Sequence, residues 1–233
     1  MSVIIDNDDV TVSHDKQFYK LTFRTPQHAL VQSLLKTRII SGASTDETYK
    51  TVYFKADKVQ SLRAYQDASG VRHAMRVADV SNMVRCLATQ LAYLIDHTNH
   101  TILGYSPDNI VVVNEDRFIF VGSDLVVEID EDTQEAMVCC PFSPTDFLLS
   151  PEMREVTELP SLVHYKSSYF SLGLLMMYVL RGGAFYKDYI EHRRTGDELL
   201  ATLRNHPIRM TKLFWLLSRC LVKDPRERSI ILL

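Results

Sequence analysis

The stretch GYSPDNIVVV, residues 104–113, is the part of the chain on which the fold assignment depends. Its first half is polar and contains Pro107, as expected of a tight loop, and its second half is a β-branched run that favours a buried strand. The polar segment NEDR and the apolar segment FIFV follow directly, ending at Val121. Two apolar runs joined by a polar turn predict a β-hairpin that is entered from a loop.

Periodic segments on both sides of this hairpin predict helices. From Asp79 to His97 the apolar residues recur at the i, i+3, i+4 and i+7 spacing of an amphipathic helix. SSYFSLGLLMMYVL, residues 167–180, is apolar on nearly all sides, which predicts a helix buried inside the domain. Two further helices are predicted at DELLATLRN and TKLFWLLSRCLV, whereas residues 130–166 are interpreted as loop-rich.

The first third of the chain has the pattern of a small sheet. QFYKLTFR, RIISGAS and YKTVYFKA predict strands, and HALVQSLLKTRI predicts a helix between the first two of them. Strands with one helix, followed by several helices, predict an α+β fold. The division expected is a sheet part over residues 1–56 and a mainly helical part over residues 57–233.

Composition excludes several classes of protein. The chain has 233 residues, 46% of them hydrophobic, so a core can form without disulfide or metal support. A net charge of -3 argues against binding to nucleic acid. The acidic N-terminus lacks a signal-peptide pattern and no apolar run is long enough to span a membrane, so no membrane association is expected. Buried, reduced thiols and a cytoplasmic location are expected from the four cysteines, Cys86, Cys139, Cys140 and Cys220.

Five segments, taken in order, resemble motifs of the protein kinase family. GYSPDNIVVV resembles the end of the catalytic loop, K-P-x-N-I-L-L, and FVGSDLVV stands where D-F-G-L is expected. LLSPEM resembles A-P-E, SSYFSLGLLMMYVL resembles the D-V-W-S-L-G helix, and CLVKDPRERSI resembles C-L-x-x-D-P-x-x-R-P. The resemblance implies a two-lobe fold with a reduced β-rich N-lobe and a helical C-lobe. It also implies a structural ion pair between Glu152 and Arg228.

The residues that carry phosphoryl transfer in this family are missing at the matching positions. Gly104 stands at the catalytic Asp and Ser106 at the catalytic-loop Lys. Gly122 stands at the magnesium-binding Asp of D-F-G, and Ser123 at its Phe. A glycine can neither accept a proton nor bind a metal. No catalytic residue is therefore assigned, and neither ATP nor magnesium is expected as a cofactor.

Two polar residues remain as weak candidates for binding a nucleotide. Asn109 resembles the Asn that holds the second magnesium, but a local role in bonding loop backbone explains it equally well. Asp124, two residues past Gly122, is the carboxylate nearest in sequence to the lost metal ligand. At the D-V-W-S-L-G helix, Ser168 replaces the Asp that holds the catalytic loop in the family, which predicts that this anchor is lost.

The N-terminal part lacks the nucleotide-binding features of the family. No Gly-rich loop is present, since Gly42 is the first glycine, and the segment before the first helix is interpreted as too short for three full strands. Lys20 and Lys55 are interpreted as solvated charges. Val31 falls where the helix glutamate would pair with the strand lysine.

These observations favour a catalytically inactive kinase homologue that acts as a protein-binding scaffold, a structural subunit or a regulator of a true kinase. One alternative is a divergent Ser/Thr kinase in which Asp108 or Asp124 supplies the lost carboxylate. Another is an inactive switch that still binds nucleotide. The Tyr- and Arg-rich segment AFYKDYIEHRR, residues 184–194, is the candidate partner surface, and the apolar ending at residues 230–233 suggests a groove for a partner helix.

Overall fold

The fold is taken from a computed structural model that describes residues 2–15, 17–68, 74–182, 185, 189, 191–192 and 194–230. The α+β class predicted from the sequence is confirmed, with several antiparallel sheets among the helices.

A five-stranded antiparallel sheet occupies the N-terminal part. Its strands are β1 (Ser2–Asp6), β2 (Val10–Asp15), β3 (Phe18–Phe23), β4 (Ser44–Thr45) and β5 (Thr51–Phe54), in the spatial order β1-β2-β3-β5-β4. Helix α1 (His28–Lys36) lies between β3 and β4 in the chain. Alternate residues of β3 are fully or almost fully buried, whereas Lys20 and Thr22 between them are only half-buried. One face of the sheet therefore packs on the core.

Two sequence predictions about this sheet are wrong. Three full strands do fit before α1, because each is only five or six residues long and the turn from β1 to β2 takes three residues, Asn7 to Asp9. The segment RIISGAS is mostly a turn, since Arg38 and Gly42 adopt positive φ angles of 55° and 65°, which interrupt an extended chain. Only Ser44 and Thr45 form a strand there.

The rest of the chain combines helices with short strands. Within the described residues, its helices include α2 (Leu62–Ala68), α3 (Val77–Thr98), α4 (Pro151–Arg154), α5 (Ser167–Arg181), α6 (Gly196–Ala201) and α7 (Lys212–Cys220). Its strands are β6 (Val59–Ser61), β7 (His100–Ile102), β8 (Gly104–Tyr105), β9 (Ile110–Val113), β10 (Arg117–Phe120), β11 (Val126–Asp130), β12 (Glu135–Val138), β13 (Leu148–Leu149) and β14 (Ser161–His164). The predicted hairpin is β9–β10, and the predicted long helices are α3, α5 and α7.

The segment predicted as loop-rich is more ordered than expected. Strands β12 and β14 pair along their full length and join β11 and β7 in a four-stranded sheet of order β14-β12-β11-β7. Strand β13 pairs with β8 in a separate two-stranded ladder. Strands of two to four residues carry too little periodicity to be detected in the sequence.

A single continuous core joins the N-terminal sheet to the helices. Leu21 and Leu30 from the sheet part belong to the same apolar cluster as Phe120 and Leu172. A smaller cluster, which includes Leu125, lies beneath the β11–β14 region. Among the described residues, no helix is both long enough and apolar enough to cross a membrane.

The side chain of Gln90 on α3 hydrogen-bonds to strand β10 and to helix α1. Its side-chain amide donates to the carbonyl of Phe120 at 2.9 Å, and its Oε1 accepts from the amide of Phe120 at 2.9 Å. The same amide donates to Ser33 Oγ of α1 at 3.1 Å. Gln90 is fully buried, so these bonds replace those that it would make with water.

The cysteines differ in exposure, which the sequence did not predict. Cys86 and Cys220 are buried, as expected, but the adjacent Cys139 and Cys140 are exposed and all four are free thiols. Burial raises the pKa of Cys220 to about 12, so this thiol stays protonated at neutral pH.

Candidate functional site

The candidate site is built around the loop between β8 and β9. Ser106 caps a 3₁₀ turn at Pro107–Asn109 by accepting from the amide of Asp108 at 3.3 Å, and Pro107 at its first position needs no amide partner. The carbonyl of Asn109 accepts from the amide of Val121 at 2.9 Å. This bond holds the loop against the segment that follows β10.

The turn between β1 and β2 folds directly onto this loop. Asn7 Oδ1 accepts from the amides of Asp9 at 3.0 Å and Val10 at 2.8 Å, which fixes the turn. Asn7 Nδ2 donates to the carbonyl of Asp108 and to Asn109 Oδ1, both at 3.1 Å. The first turn of the protein is thereby tied to residues a hundred positions later in the chain.

Asp9 completes the contact with a buried carboxylate. Its side chain accepts from Asn109 Nδ2 at 2.6 Å, from the amide of Ser123 at 2.9 Å and from Ser123 Oγ. Asp9 is only 6% exposed, so these charge-assisted bonds offset the loss of its hydration. The carboxylate fills the space between Asn109 and the backbone after Gly122.

The two glycines of the site are closed in by neighbouring side chains. A Cβ atom at Gly104 would lie 2.6 Å from Leu125 Cδ1 and 2.7 Å from Leu149 Cδ2. A Cβ atom at Gly122 would lie 2.4 Å from Asn109 Nδ2 and 2.8 Å from Phe120 Cζ. No side chain fits at either position unless these neighbours move.

A cavity of about 510 Å³ remains beside the buried Asp9. Ser106 and Asn109 line it, with Arg63 as the only cation among the described lining residues. Its acidic lining residues are Asp8, Asp9, Asp108, Asp124 and Asp146. Such a lining repels an anion and favours positively charged groups.

The two carboxylates considered for a rewired kinase both lie at this cavity. Asp108 is paired with Arg63, whose Nε lies 2.5 Å from Asp108 Oδ1. The side chain of Asp124 is exposed overall. Its partial desolvation, together with the negative charges of Asp9 and Asp8, raises its pKa. Neither carboxylate is assembled into a metal site, since no group of three or more metal-ligating side chains forms within the described part of the chain.

Neither of the two lysines reaches the cavity. Lys20 lies on the opposite face of β3 from the buried residues, with its Nζ 6.0 Å from the centre of the Tyr53 ring. Lys55 is exposed and lies 5.2 Å from the centre of the Phe18 ring. Val31 is fully buried in the core. Among the residues that the structure describes, these positions thus form no lysine–glutamate pair of the kind that positions phosphates.

Glu152 and Arg228 form a bidentate ion pair. Arg228 Nη2 donates to Glu152 Oε2 at 3.0 Å, and Arg228 Nη1 donates to Glu152 Oε1. The guanidinium is fully buried, with its centre 4.9 Å from the centre of the Phe170 ring. Its remaining N–H groups donate to the carbonyls of Val222, Lys166 and Lys223. Burial alone would raise the pKa of Glu152, but the hydrogen bonds and charge of Arg228 outweigh it, and the pKa is lowered.

The segment between β7 and β8 is anchored to α5, contrary to the prediction made from Ser168. The hydroxyl of Ser168 donates to the carbonyl of Tyr165 within its own helix start. However, Ser171, one turn further along, donates to the carbonyl of Leu103 at 2.9 Å in a fully buried contact. The anchor is therefore neutral rather than ionic, and it lies three residues from the position that the sequence indicated.

Sequence reasoning missed Asn7 and Asp9, which are central to the site. The available signal was the segment NDD between two alternating runs, because Asn and Asp favour turns that bond their own backbone.

Two candidate partner surfaces fall largely outside the described residues. These are most of the segment AFYKDYIEHRR and the last three residues of the apolar C-terminal ending.

Comparisons with known proteins add no assignment. No protein-family model matches the chain. No curated protein matches it either.

Proposed function

We propose that the chain is a catalytically inactive protein kinase homologue that works by binding other proteins. The observation that carries this proposal is the buried Asp9 carboxylate, held by Asn109 and Ser123 at the place where the resemblance would put metal and phosphate. A fixed carboxylate there repels phosphate and takes up the donor groups that would otherwise bind a ligand.

The arrangement of elements supports the kinase resemblance. In the chain, helix α1 lies between the third and fourth strands of the five-stranded antiparallel sheet. Strand β6 follows the last strand of that sheet, β5. The loop that resembles the catalytic loop enters a hairpin, and the segment after that hairpin returns as β11 to pair with β7. The pair of Glu152 and Arg228 joins the segments that resemble A-P-E and D-P-x-x-R.

The residues of the site do not fit ATP with magnesium. Magnesium requires carboxylate and phosphate oxygens around it, and the position of its main protein ligand is occupied by Gly122, against which Asn109 is packed. The described lining of the cavity includes five aspartates and one arginine. Its charge is therefore opposite to that of a phosphate-binding site. We therefore derive no phosphoryl-transfer step for this chain.

Thermal melting of the purified protein tests the proposal. We expect no change in melting temperature on adding ATP, in magnesium or in EDTA. A nucleotide present at 100 times its Kd would add about 2.7 kcal/mol to the free energy of unfolding. In a domain of this size, that gain raises the melting temperature by roughly 5–10 °C. A magnesium-dependent increase of this size would contradict the proposal, and a nucleotide increase without turnover would favour the inactive switch instead.

The divergent kinase remains the second candidate, because Asp108 and Asp124 both line the cavity. It predicts measurable phosphate transfer to a mixed Ser/Thr peptide substrate, lost in Asp124→Asn or Asp108→Asn. The inactive homologue predicts no transfer in the parent protein or in either variant. Arg85→Glu, an exposed change on α3, serves as a matched control for folding and purity.

The partner in this proposal is another protein, within a larger complex or as a true kinase that the chain regulates. Large exposed apolar residues on the described surface support such a role, among them Trp215 at 64% exposure and Leu162 at 56%. Neither nucleic acid nor membrane is proposed as a partner.

A further inference from the structure

A strongly basic segment runs through the C-terminal helices. Residues 199–223 contain no acidic side chain, although the chain as a whole has a net charge of -3. All of the basic residues in this segment are exposed, namely Arg204, Arg209, Lys212, Arg219 and Lys223. Positive charge is thus concentrated on one part of a mildly acidic protein.

The only tryptophan of the chain lies in the middle of this basic segment. On α7, Lys212, Trp215 and Arg219 follow the i, i+3, i+7 spacing of one helix face, and the opposite face is buried. Trp215 is 64% exposed, and Met210 just before the helix is 90% exposed. We call Met210, Lys212, Trp215 and Arg219 the basic tryptophan face. Trp, Met and Arg are among the residues that are enriched at protein interfaces.

A segment of opposite charge lies on the β11–β12 hairpin. Residues 126–138 contain no basic side chain. Their acidic residues are Glu128, Asp130, Glu131, Asp132 and Glu135. We call this segment the acidic hairpin. Within it, Met137 of β12 is 51% exposed and pairs across the ladder with Leu162 of β14, which is 56% exposed. Strand β14 is at the edge of its sheet.

Among the described residues, the charges of both segments have no salt-bridge partner. Asp130 only caps its own turn by accepting from the amides of Asp132 and Thr133, and Glu131 accepts from Asn99. Each segment therefore combines free charge of one sign with exposed apolar side chains.

We propose that the basic tryptophan face of one molecule docks on the acidic hairpin of a second copy. The charges are opposite, and Trp215 would cover the apolar pair Met137 and Leu162. A second copy is favoured over nucleic acid or an anionic lipid surface because the same chain carries the matching chemistry, and its acidic hairpin repels polyanions. Exposed charges contribute little singly, so we expect weak association, with a Kd on the order of 100 μM at low salt.

Sedimentation velocity, together with the emission of Trp215, tests this proposal without labels. At about 50 mM NaCl the sedimentation coefficient should increase with protein concentration while Trp215 emission shifts to shorter wavelength, and both changes should disappear at about 500 mM NaCl. A protein that stays monomeric at all concentrations, or that associates equally in both salts, would overturn the proposal. So would an emission shift that appears only with phosphatidylserine vesicles.

Two charge-reversal variants make the test specific. Lys212→Glu with Arg219→Glu reverses the basic tryptophan face, and Glu128→Lys with Asp132→Lys reverses the acidic hairpin. We expect each double variant to remain monomeric alone and an equimolar mixture to associate again, because the reversed surfaces complement each other. Recovery in the mixture also shows that both variants are folded. Lys36→Glu on α1 is the matched control and should associate like the parent protein.

If either double variant, measured by itself, self-associates as strongly as the parent protein, the two surfaces are not in contact and the proposal is overturned. A mixture that stays monomeric, although both variants melt at the temperature of the parent protein, overturns it equally. This outcome is independent of nucleotide binding, so it does not depend on the proposed function.

Discussion

At the residue scale, the balance between burial and hydrogen bonding explains the site. A carboxylate removed from water costs several kcal/mol unless donors replace its hydration. Asp9 has three such donors, from Asn109 and Ser123, and each of them would be left without this partner if the carboxylate were removed. The contact of the β1–β2 turn with Asn109 and Ser123 is therefore held by specific hydrogen bonds.

We expect Asp9→Ala to lower the free energy of unfolding by about 2–3 kcal/mol, because the donors of Asn109 and Ser123 lose a charged partner. Urea unfolding at neutral pH measures the change. Asp8→Ala is the matched control, since Asp8 is an exposed neighbour in the same turn and should change stability by less than about 0.5 kcal/mol. Equal effects of the two changes would show that Asp9 has no special role.

Tyr105 gives a second prediction at this scale. Its hydroxyl is buried, and among the described residues it has no hydrogen-bond partner. Burial, with smaller effects of Cys220 and Tyr169, raises its pKa far above the ordinary value, so it stays neutral. Tyr105→Phe removes an unsatisfied group, and we expect stability to be unchanged or higher.

Tyr189→Phe is the comparison for this change, because Tyr189 donates to the carbonyl of Leu149 at 3.2 Å. It should lower the free energy of unfolding by about 1 kcal/mol. Thermal or urea unfolding of both variants measures the contrast. A larger loss for Tyr105→Phe than for Tyr189→Phe would mean that the Tyr105 hydroxyl has a partner.

At the element scale, single polar side chains hold short elements in place. Helix α4 is only four residues long, and it is tied to the C-terminal segment through Glu152 and Arg228. Helix α1 is tied to α3 and β10 through Gln90. Short helices gain little stability from their own backbone bonds, so these contacts decide their position.

The pair of Glu152 and Arg228 predicts a pH dependence. Because the folded-state pKa of Glu152 lies below its ordinary value near 4.5, its stabilisation is complete above that pH and is lost as the pH falls through the folded-state pKa. At pH 7, Glu152→Gln should cost about 3 kcal/mol. In urea unfolding, the difference in stability between parent and variant should narrow as the pH falls from the ordinary pKa of Glu152 through its lower folded-state pKa. A gap that is constant with pH would contradict this.

Gln90→Leu should destabilise the link between α1 and β10. The substitution nearly keeps the side-chain volume but leaves the buried amide and carbonyl of Phe120 without these partners, and we expect a loss of about 2–4 kcal/mol in urea unfolding. Ser33→Ala is the control. The Ser33 hydroxyl bonds mainly within its own helix, to the carbonyl of Leu30, so its removal should cost about 1 kcal/mol. Similar losses for both variants would assign the link to Ser33.

At the scale of the whole molecule, the continuous core is the feature that governs folding. The N-terminal sheet and the helices share one apolar cluster. We therefore expect a single cooperative unfolding transition. Hydrogen exchange measures this, and the slowest amides of β3 and α5 should give the same opening free energy. A lower value for β3 would show that the sheet unfolds separately.

How much of this could be predicted from sequence depends on the range of the interactions. The periodicity of α3 and α5 is local, so both helices and the β9–β10 hairpin were predicted. Asp9 meets Asn109 across 100 positions and Ser123 across 114, and no local pattern records such a pairing. The acidic N-terminal turn was consequently assigned no role, and the strand register around it could not be inferred.

The packing around Gly104 and Gly122 has a consequence for the evolutionary history of the fold. Any single substitution that places a carboxylate at either position must first displace buried neighbours, Leu125 and Leu149 at one and Asn109 at the other. Under the proposed function, phosphoryl transfer would need a carboxylate at both positions, and each change would have to displace these neighbours. The packing around these two glycines thus opposes the introduction of a carboxylate at either position.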